Sequence, residues 1–240
     1  MLRPLAIAIA LLTRLPVGRY ASGDAQAIGR SVLWYPAVGL FIGLVLVGVC
    51  LSVRAAPAMV GAALATFAWC GMTGALHLDG LSDSADAFIG SHGNAVRALE
   101  IMKDPAAGPM GVVAVCLVLT VKFAALAAHI SAETWWAIVA APVLGRATVI
   151  ALLLGTPYVR PQGLGSVPAA NLPRGAGRIV IVAVIAAAAI VDSIPALVAA
   201  GLAFLLLRAM MTRMIGGATG DTAGALVEVT EAAALVAAAL

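Results

Sequence analysis

The sequence predicts an all-α, polytopic integral membrane protein: about seven transmembrane segments, cytoplasmic polar loops and a short N-terminal interfacial helix, forming one membrane-embedded domain over residues 1–240. Three observations carry this. Hydrophobic residues make up 63% of the chain and charged residues only 10%, against roughly 25% charged in a soluble domain, so there is too little polar skin to face water. Several apolar runs have the roughly 20 residues that a helix needs to cross the hydrocarbon core. Basic residues gather at one side once those runs are alternated across a membrane.

Taken in order, Arg3 followed by Leu5 to Leu12 superficially resembles a signal peptide, but no small-x-small cleavage site follows and Arg14, Pro16 and Arg19 intervene; a short interfacial helix is expected. Ser31 to Val53, Pro57 to Leu76, Met110 to Ile130 and Trp135 to Leu154 are direct spans. Ile179 to Leu207 is apolar but interrupted by Asp192, Ser193 and Pro195, which predicts two short helices joined by a tight turn. Ala223 to Leu240 is the last span and carries Glu228 and Glu231.

Alternating these segments puts Arg3, Arg14, Arg19, Arg30, Arg97, Lys103, Arg160, Arg174, Arg178, Arg208 and Arg213 on one side and Arg54 alone on the other, so the first side is assigned to the cytoplasm of a bacterial inner membrane. Reading Ile179 to Leu207 as one span would export Arg208 and Arg213, which favours the hairpin. The far-side loops are minimal, and the longer cytoplasmic loops hold most of the polar chemistry, so the active face is expected there. The formal charge of +3 comes from scattered basic residues and points to no nucleic-acid partner. Cys50, Cys70 and Cys116 lie apart within apolar runs and read as packing residues. Gly39, Gly43, Ala183 and Ala187 have the four-residue spacing of close helix packing, and Trp69, Trp135 and Trp136 read as interfacial anchors. A homo-oligomer is among the assembly states left open.

The chemistry concentrates in Gly74-Ala-Leu-His-Leu-Asp-Gly-Leu-Ser-Asp-Ser-Ala-Asp86. Asp79, Asp83 and Asp86 stand at i, i+4 and i+7, so on a helix the three carboxylates share a face and repel unless a divalent cation sits among them. Hard oxygen ligands beside a diphosphate suit Mg²⁺; a solvated acidic helix end is the alternative. His77, two residues before Asp79, is a candidate base, whereas His92 and His129 have no recognisable partner. Downstream, Arg97 and Lys103 are candidate phosphate contacts, and Glu100 or Asp104 could complete a cation shell, with ordinary surface pairing as the alternative. A second polar set, Thr219-Gly-Asp221 through Glu228 to Glu231, takes carboxylates into a span, and Lys122 and Arg146 are the only cations within predicted spans to offset them.

These residues, with Thr13-Arg-Leu-Pro-Val17, Trp34-Tyr-Pro-Ala-Val-Gly39, Glu100-Ile-Met-Lys-Asp104, Pro142-Val-Leu-Gly-Arg146 and Tyr158-Val-Arg-Pro-Gln-Gly-Leu-Gly165, give the chain a resemblance over nearly its whole length to the cobalamin synthase family. The run Ser-Asp-Ser-Ala-Asp-Ala-Phe departs mildly from the small residues expected there. The resemblance implies transfer of the adenosylcobinamide-phosphate moiety of adenosylcobinamide-GDP to α-ribazole or its 5′-phosphate, with release of GMP. It implies Mg²⁺ held by Asp79, Asp83 and Asp86, with Asp104 weaker, and candidate phosphate contacts from Arg14, Arg97, Lys103, Arg146 and Arg160. Two other classes compete. CDP-alcohol phosphotransferases also carry Asp-Gly, but Leu76 and Asp83-Ser84 break their fuller pattern; a small-solute transporter would need its polar residues near mid-membrane on several helices.

Overall fold

The computed structural model describes residues 2–18, 23–191 and 193–240; Arg19 and Asp192, used above for the N-terminal segment and the hairpin, lie outside the described residues. Helix α1 (Leu2–Leu12) packs against α2 (Ala25–Ser31), whose start is capped by the Asp24 carboxylate accepting the Ala27 N–H. A 3-10 turn, Val32–Trp34, leads into α3 (Tyr35–Ser52), which is followed by α4 (Ala58–Thr73).

The chain does not simply run out of the membrane after α4. Gly74 and Ala75 both adopt left-handed backbone, with φ of 60° and 57°, and turn the chain by 88° into α5 (Leu76–Gly90). Glycine suits such a conformation; alanine adopts it at a cost. A Cβ at Gly74 would also run into the Arg14 side chain, so this corner is fixed against the segment that follows α1.

Beyond α5 come the short α6 (Ala95–Ile101), then α7 (Pro109–Ser131) and α8 (Trp135–Gly155), the short α9 (Ser166–Asn171), and α10 (Arg174–Ile190), α11 (Ile194–Ile215) and α12 (Gly220–Ala239). Proline at the first turn of α7 suits a position whose N–H would go unpaired in any case. Among the described residues, five helical stretches are long and apolar enough to cross a membrane: Ala25–Ser52, α7, α8, α11 and α12; a sixth is gained if the bent pair α4 and α5 counts as one span. The remaining expected segment is α10, whose 17 residues cover about 25 Å at 1.5 Å per residue. The α10–α11 pair is the expected hairpin, but α11 is not short: its 22 residues run past Leu207 to Ile215 and include Arg208 and Arg213. Arg174 at the start of α10 donates to the Leu154 carbonyl, and Arg208 near the end of α11 donates to Gly155 O at 2.7 Å and Thr156 Oγ1 at 2.9 Å. Both open ends therefore meet the same end of α8.

Gly39 and Gly43 do mediate close packing, because a Cβ at either would fall within 2.3 Å and 2.7 Å of α8 backbone at Pro142 and Val139. Ala183 and Ala187 do not: they face an apolar groove of about 630 Å³ between α10, α3 and α8. Trp69 is likewise not an interfacial anchor. It is buried, and the Lys122 ammonium lies 4.3 Å from its ring centroid, a cation–π contact that helps to solvate a charge inside the bundle.

Candidate active site

The 88° corner decides what α5 can do. Instead of continuing α4, it lies across the end of the bundle and crosses α12. The crossing is close because both helices carry glycine there: a Cβ at Gly80 would lie 2.6 Å from the Asp221 carbonyl, and one at Gly224 would lie 3.2 Å from the His77 Cα. Asp79 on α5 is thereby brought beside Asp221 in the first turn of α12, although 142 positions separate them. Thr219 starts α12 with a capping box, its side chain accepting the Thr222 N–H while the Thr222 hydroxyl accepts the Thr219 N–H.

A third segment closes the site. After α8 the chain forms a parallel bridge with the turn before α12: Val159 N–H donates to Ala218 O at 2.9 Å, and Ala218 N–H to Pro157 O at 2.8 Å. This places Arg160, which donates to Asp221 Oδ2 at 2.7 Å and to the Met102 carbonyl at 3.1 Å, tying the α6–α7 loop to α12. Between these segments lies a cavity of about 360 Å³. Its polar lining is His77, Asp79, Tyr158, Arg160, Gln162 and Asp221; its apolar lining includes Leu12, Tyr35, Val149, Leu153 and Pro168.

Asp83 stands one turn beyond Asp79 on α5. Burial, then the charges of Asp79 and Asp221, push its carboxyl up to about 6, with Arg160 opposing. The acids therefore share one negative field, and their hard oxygens match a dication such as Mg²⁺. Among the described residues, no three acidic, histidine or cysteine side chains converge closely enough to hold an ion as they lie. Asp86 is spent differently: its two oxygens accept Gly108 N–H at 2.7 Å and Gly111 N–H at 2.9 Å. It caps the N-terminus of α7 from outside that helix, and a Cβ at Gly108 or Gly111 would collide with the carboxylate at 2.4 Å. Asp104 is exposed and accepts the Ala106 N–H at 2.9 Å within its own loop.

The second polar set resolves into a buried cluster. Lys122 Nζ lies 2.5 Å from both Glu228 Oε2 and Glu231 Oε2, and Arg146 pairs with Glu231 Oε1. The four residues are 0–4% exposed. Two cations and two anions make the cluster neutral, which is how charges persist in a bilayer. They pair with one another rather than line a wet pore, so the arrangement that would favour a transporter is absent among the described residues. Arg146 is committed to this cluster, away from the phosphate role considered for it. His77 lines the cavity with its Nδ1 3.5 Å from Arg146 Nη2.

The other candidates scatter. Arg14 is exposed and reaches Gly74 O at 3.4 Å. Arg97 forms a loose, exposed pair with Glu100 at 4.0 Å, and Lys103 is exposed on the following loop. His129 is a satisfied structural histidine, bonded to Thr134 Oγ1 at 2.7 Å and Leu235 O at 2.8 Å. Tyr158 and Gln162 line the cavity as well; both lie within the Tyr158–Gly165 motif, in which the sequence pointed to a role for Arg160 alone.

A model of the cobalamin-5-phosphate synthase family matches residues 4–239 of the chain. Curated relatives cover nearly all of it. An adenosylcobinamide-GDP ribazoletransferase of Stutzerimonas stutzeri (strain A1501) is 49% identical over 239 residues, covering 99% of this chain and 98% of the relative. Those of Pseudomonas savastanoi pv. phaseolicola and Pseudomonas paraeruginosa are 45% and 46% identical, again over 98% or more of each chain. No solved structure matches.

Proposed function

This chain belongs to the cobalamin-5-phosphate synthase family, and we propose that it transfers the adenosylcobinamide-phosphate moiety of adenosylcobinamide-GDP to α-ribazole or α-ribazole 5′-phosphate, at the cytoplasmic face of a bacterial inner membrane. A free ribose hydroxyl of the acceptor loses its proton and forms a bond to the corrinoid-side phosphorus, the bridging P–O bond breaks, and GMP leaves with the electron pair. The observation that carries the reading is the meeting of Asp79, Asp221 and Arg160 at one cavity mouth, supplied by three separate segments. Such a reaction needs alignment and charge neutralisation rather than a covalent enzyme intermediate.

Asp79, Asp83 and Asp221 are the residues that would hold Mg²⁺, whose bound charge offsets the diphosphate and the departing GMP. Asp221 joins this set because it lines the same cavity as Asp79, and Asp86, whose two oxygens each accept one amide at the start of α7, stands a turn further along α5. Arg160 holds Asp221 in place and keeps the α6–α7 loop against the mouth. Arg97 and Lys103, both exposed, would attract a large anionic donor arriving from the aqueous face.

The test is the full chain in lipid nanodiscs with adenosylcobinamide-GDP, α-ribazole and Mg²⁺, scored for GMP release and for the corrinoid product. Wild type should release GMP only with all three present, and Asp83→Asn should lose most of that rate at limiting Mg²⁺ while keeping its fold. Release that ignores Mg²⁺, or near-normal release by Asp83→Asn, would show that the acidic face is not the reacting site.

A further inference from the structure

The groove between α3, α8 and α10 is a product of small side chains. Gly39 and Gly43 bring α3 onto the backbone of α8, and α10 is held near its start by Gly177 against Ile150 and Leu154 and near its end by the buried Ala188. Between those two contacts Ala183 and Ala187 are too short to reach the facing helices, so a volume of about 630 Å³ stays open. Every residue lining it is aliphatic, proline or tryptophan. Water would find no hydrogen-bond partner there, and walls without a filling would forgo their van der Waals contacts.

The dimensions are those of a lipid chain. Along α10 the lining runs from Val180 to Val191, which at 1.5 Å per residue is about 16 Å, close to half of the roughly 30 Å hydrocarbon core. Gly39 lies against Pro142 and Gly43 against Val139, so α3 and α8 run antiparallel, with Trp34 at one end of the groove and Trp136 at the other. The Trp34 end is charged. On the continuous stretch Ala25–Ser52, Arg30 stands three and four residues before Leu33 and Trp34 and so shares their face. Arg30 and Arg3 also line an open depression of about 480 Å³. Both are exposed, and among the described residues neither joins an ion pair. The acid in that depression, Asp24, is spent on the Ala27 N–H at the start of α2.

We propose that this face binds one anionic phospholipid of the phosphatidylglycerol type: its phosphate lies between Arg3 and Arg30, and one acyl chain passes Trp34 into the groove. Two guanidinium groups at the head of an apolar channel complement a phosphate on a hydrocarbon chain. A choline or ethanolamine headgroup would add a third positive charge beside them, so a headgroup without an ammonium is selected. The site is separate from the reacting cavity, because Trp34 lines the groove whereas its neighbour Tyr35 lines the cavity. It holds whichever reaction the cavity performs.

The test is native mass spectrometry of the full chain in detergent micelles, titrated with phosphatidylglycerol or with phosphatidylcholine of the same chains, with thermal melts to establish that each variant is folded. Wild type should hold one phosphatidylglycerol saturably and prefer it about 10- to 30-fold, the worth of two arginines beside a lipid headgroup. Arg3→Gln with Arg30→Gln should bring that preference below about threefold and leave phosphatidylcholine binding as it was. Ala183→Phe with Ala187→Phe should fill the groove and weaken both lipids alike. In wild type, phosphatidylglycerol brominated along one chain should quench the fluorescence of the groove tryptophans at concentrations where the brominated choline lipid does not, a readout that needs no variant. The site is overturned if lipid retention does not saturate, if the preference survives loss of both arginines, or if binding survives the paired alanine substitutions. A wild-type dimer that those substitutions abolish, with no lipid retained, would give the groove to a second copy of the chain and overturn it as well.

Discussion

Replacing Glu231 by Gln should be among the most damaging single changes of nearly constant volume in this protein. Glu231 is fully buried and serves both Lys122 and Arg146, so the substitution leaves two cations facing Glu228 alone. Removing one partner of a buried pair costs about 3–5 kcal/mol, because the remaining charge is stranded out of water. At 1.4 kcal/mol per factor of ten, this lowers the folded-to-unfolded ratio by roughly two to three and a half orders of magnitude. Adding Arg146→Met restores neutrality and puts an apolar chain of similar reach in its place, an exchange that is often neutral or favourable. The double variant should therefore recover at least about 2 kcal/mol relative to Glu231→Gln, by the same reasoning. Unfolding by sodium dodecyl sulfate titration in mixed micelles, followed by tryptophan fluorescence from the neighbouring Trp69, measures both. The reasoning fails if Glu231→Gln lies within about 0.5 kcal/mol of wild type, the range of an ordinary surface substitution, or if the double variant is less stable than the single one.

Three further outcomes are expected. Asp83 has its carboxyl near 6 when folded and near 4 in an unfolded chain, so it takes up protons on folding and Mg²⁺ must displace them; thermal stabilisation by Mg²⁺ should be large at pH 7.5 and shrink as pH falls through about 6, and a pH-independent shift would contradict this. Asp86→Ala removes the cap of α7 and should cost about 1–2 kcal/mol while opening the 102–108 loop to proteolysis, with limited tryptic cleavage after Lys103 as the readout. Single cysteines at Arg97, Gln162 and Arg213 should react with impermeant thiol reagents only after cells are opened; labelling of the Arg213 position alone in intact cells would remove the hairpin and the shared face.

Much of the bundle was legible because hydrophobic length and charge bias are local signals. The α10–α11 break was visible in Ser193 and Pro195 within an apolar run, and the Lys122, Arg146, Glu228 and Glu231 cluster followed from the cost of unpaired membrane charge. Spacing placed Asp79, Asp83 and Asp86 on one helix, and α5 is helical throughout that stretch. What spacing could not convey was direction. Gly74 hinted at a corner, but Ala75 at positive φ carries no signature, so the crossing of α5 over α12 and the meeting of Asp79 with Asp221 were out of reach. Asp86 looked like its neighbours until Gly108 and Gly111 proved to lie against it, a partnership 22 and 25 positions away. Trp69 was misread for the same kind of reason: an indole near a span end is usually an anchor, and only its stacking beneath Lys122 shows otherwise.

The neutral cluster also has a history in time. Lys122 is synthesised 106 residues before Glu228, so at about 5–20 residues per second the ribosome delivers the ammonium roughly 5–20 seconds before its counter-ion exists. During that interval α7 and α8 carry cations whose acidic partners among the described residues both lie on α12. Until α12 is in place the two cations have none of these partners, so α12 is the segment that completes the charge balance of the bundle.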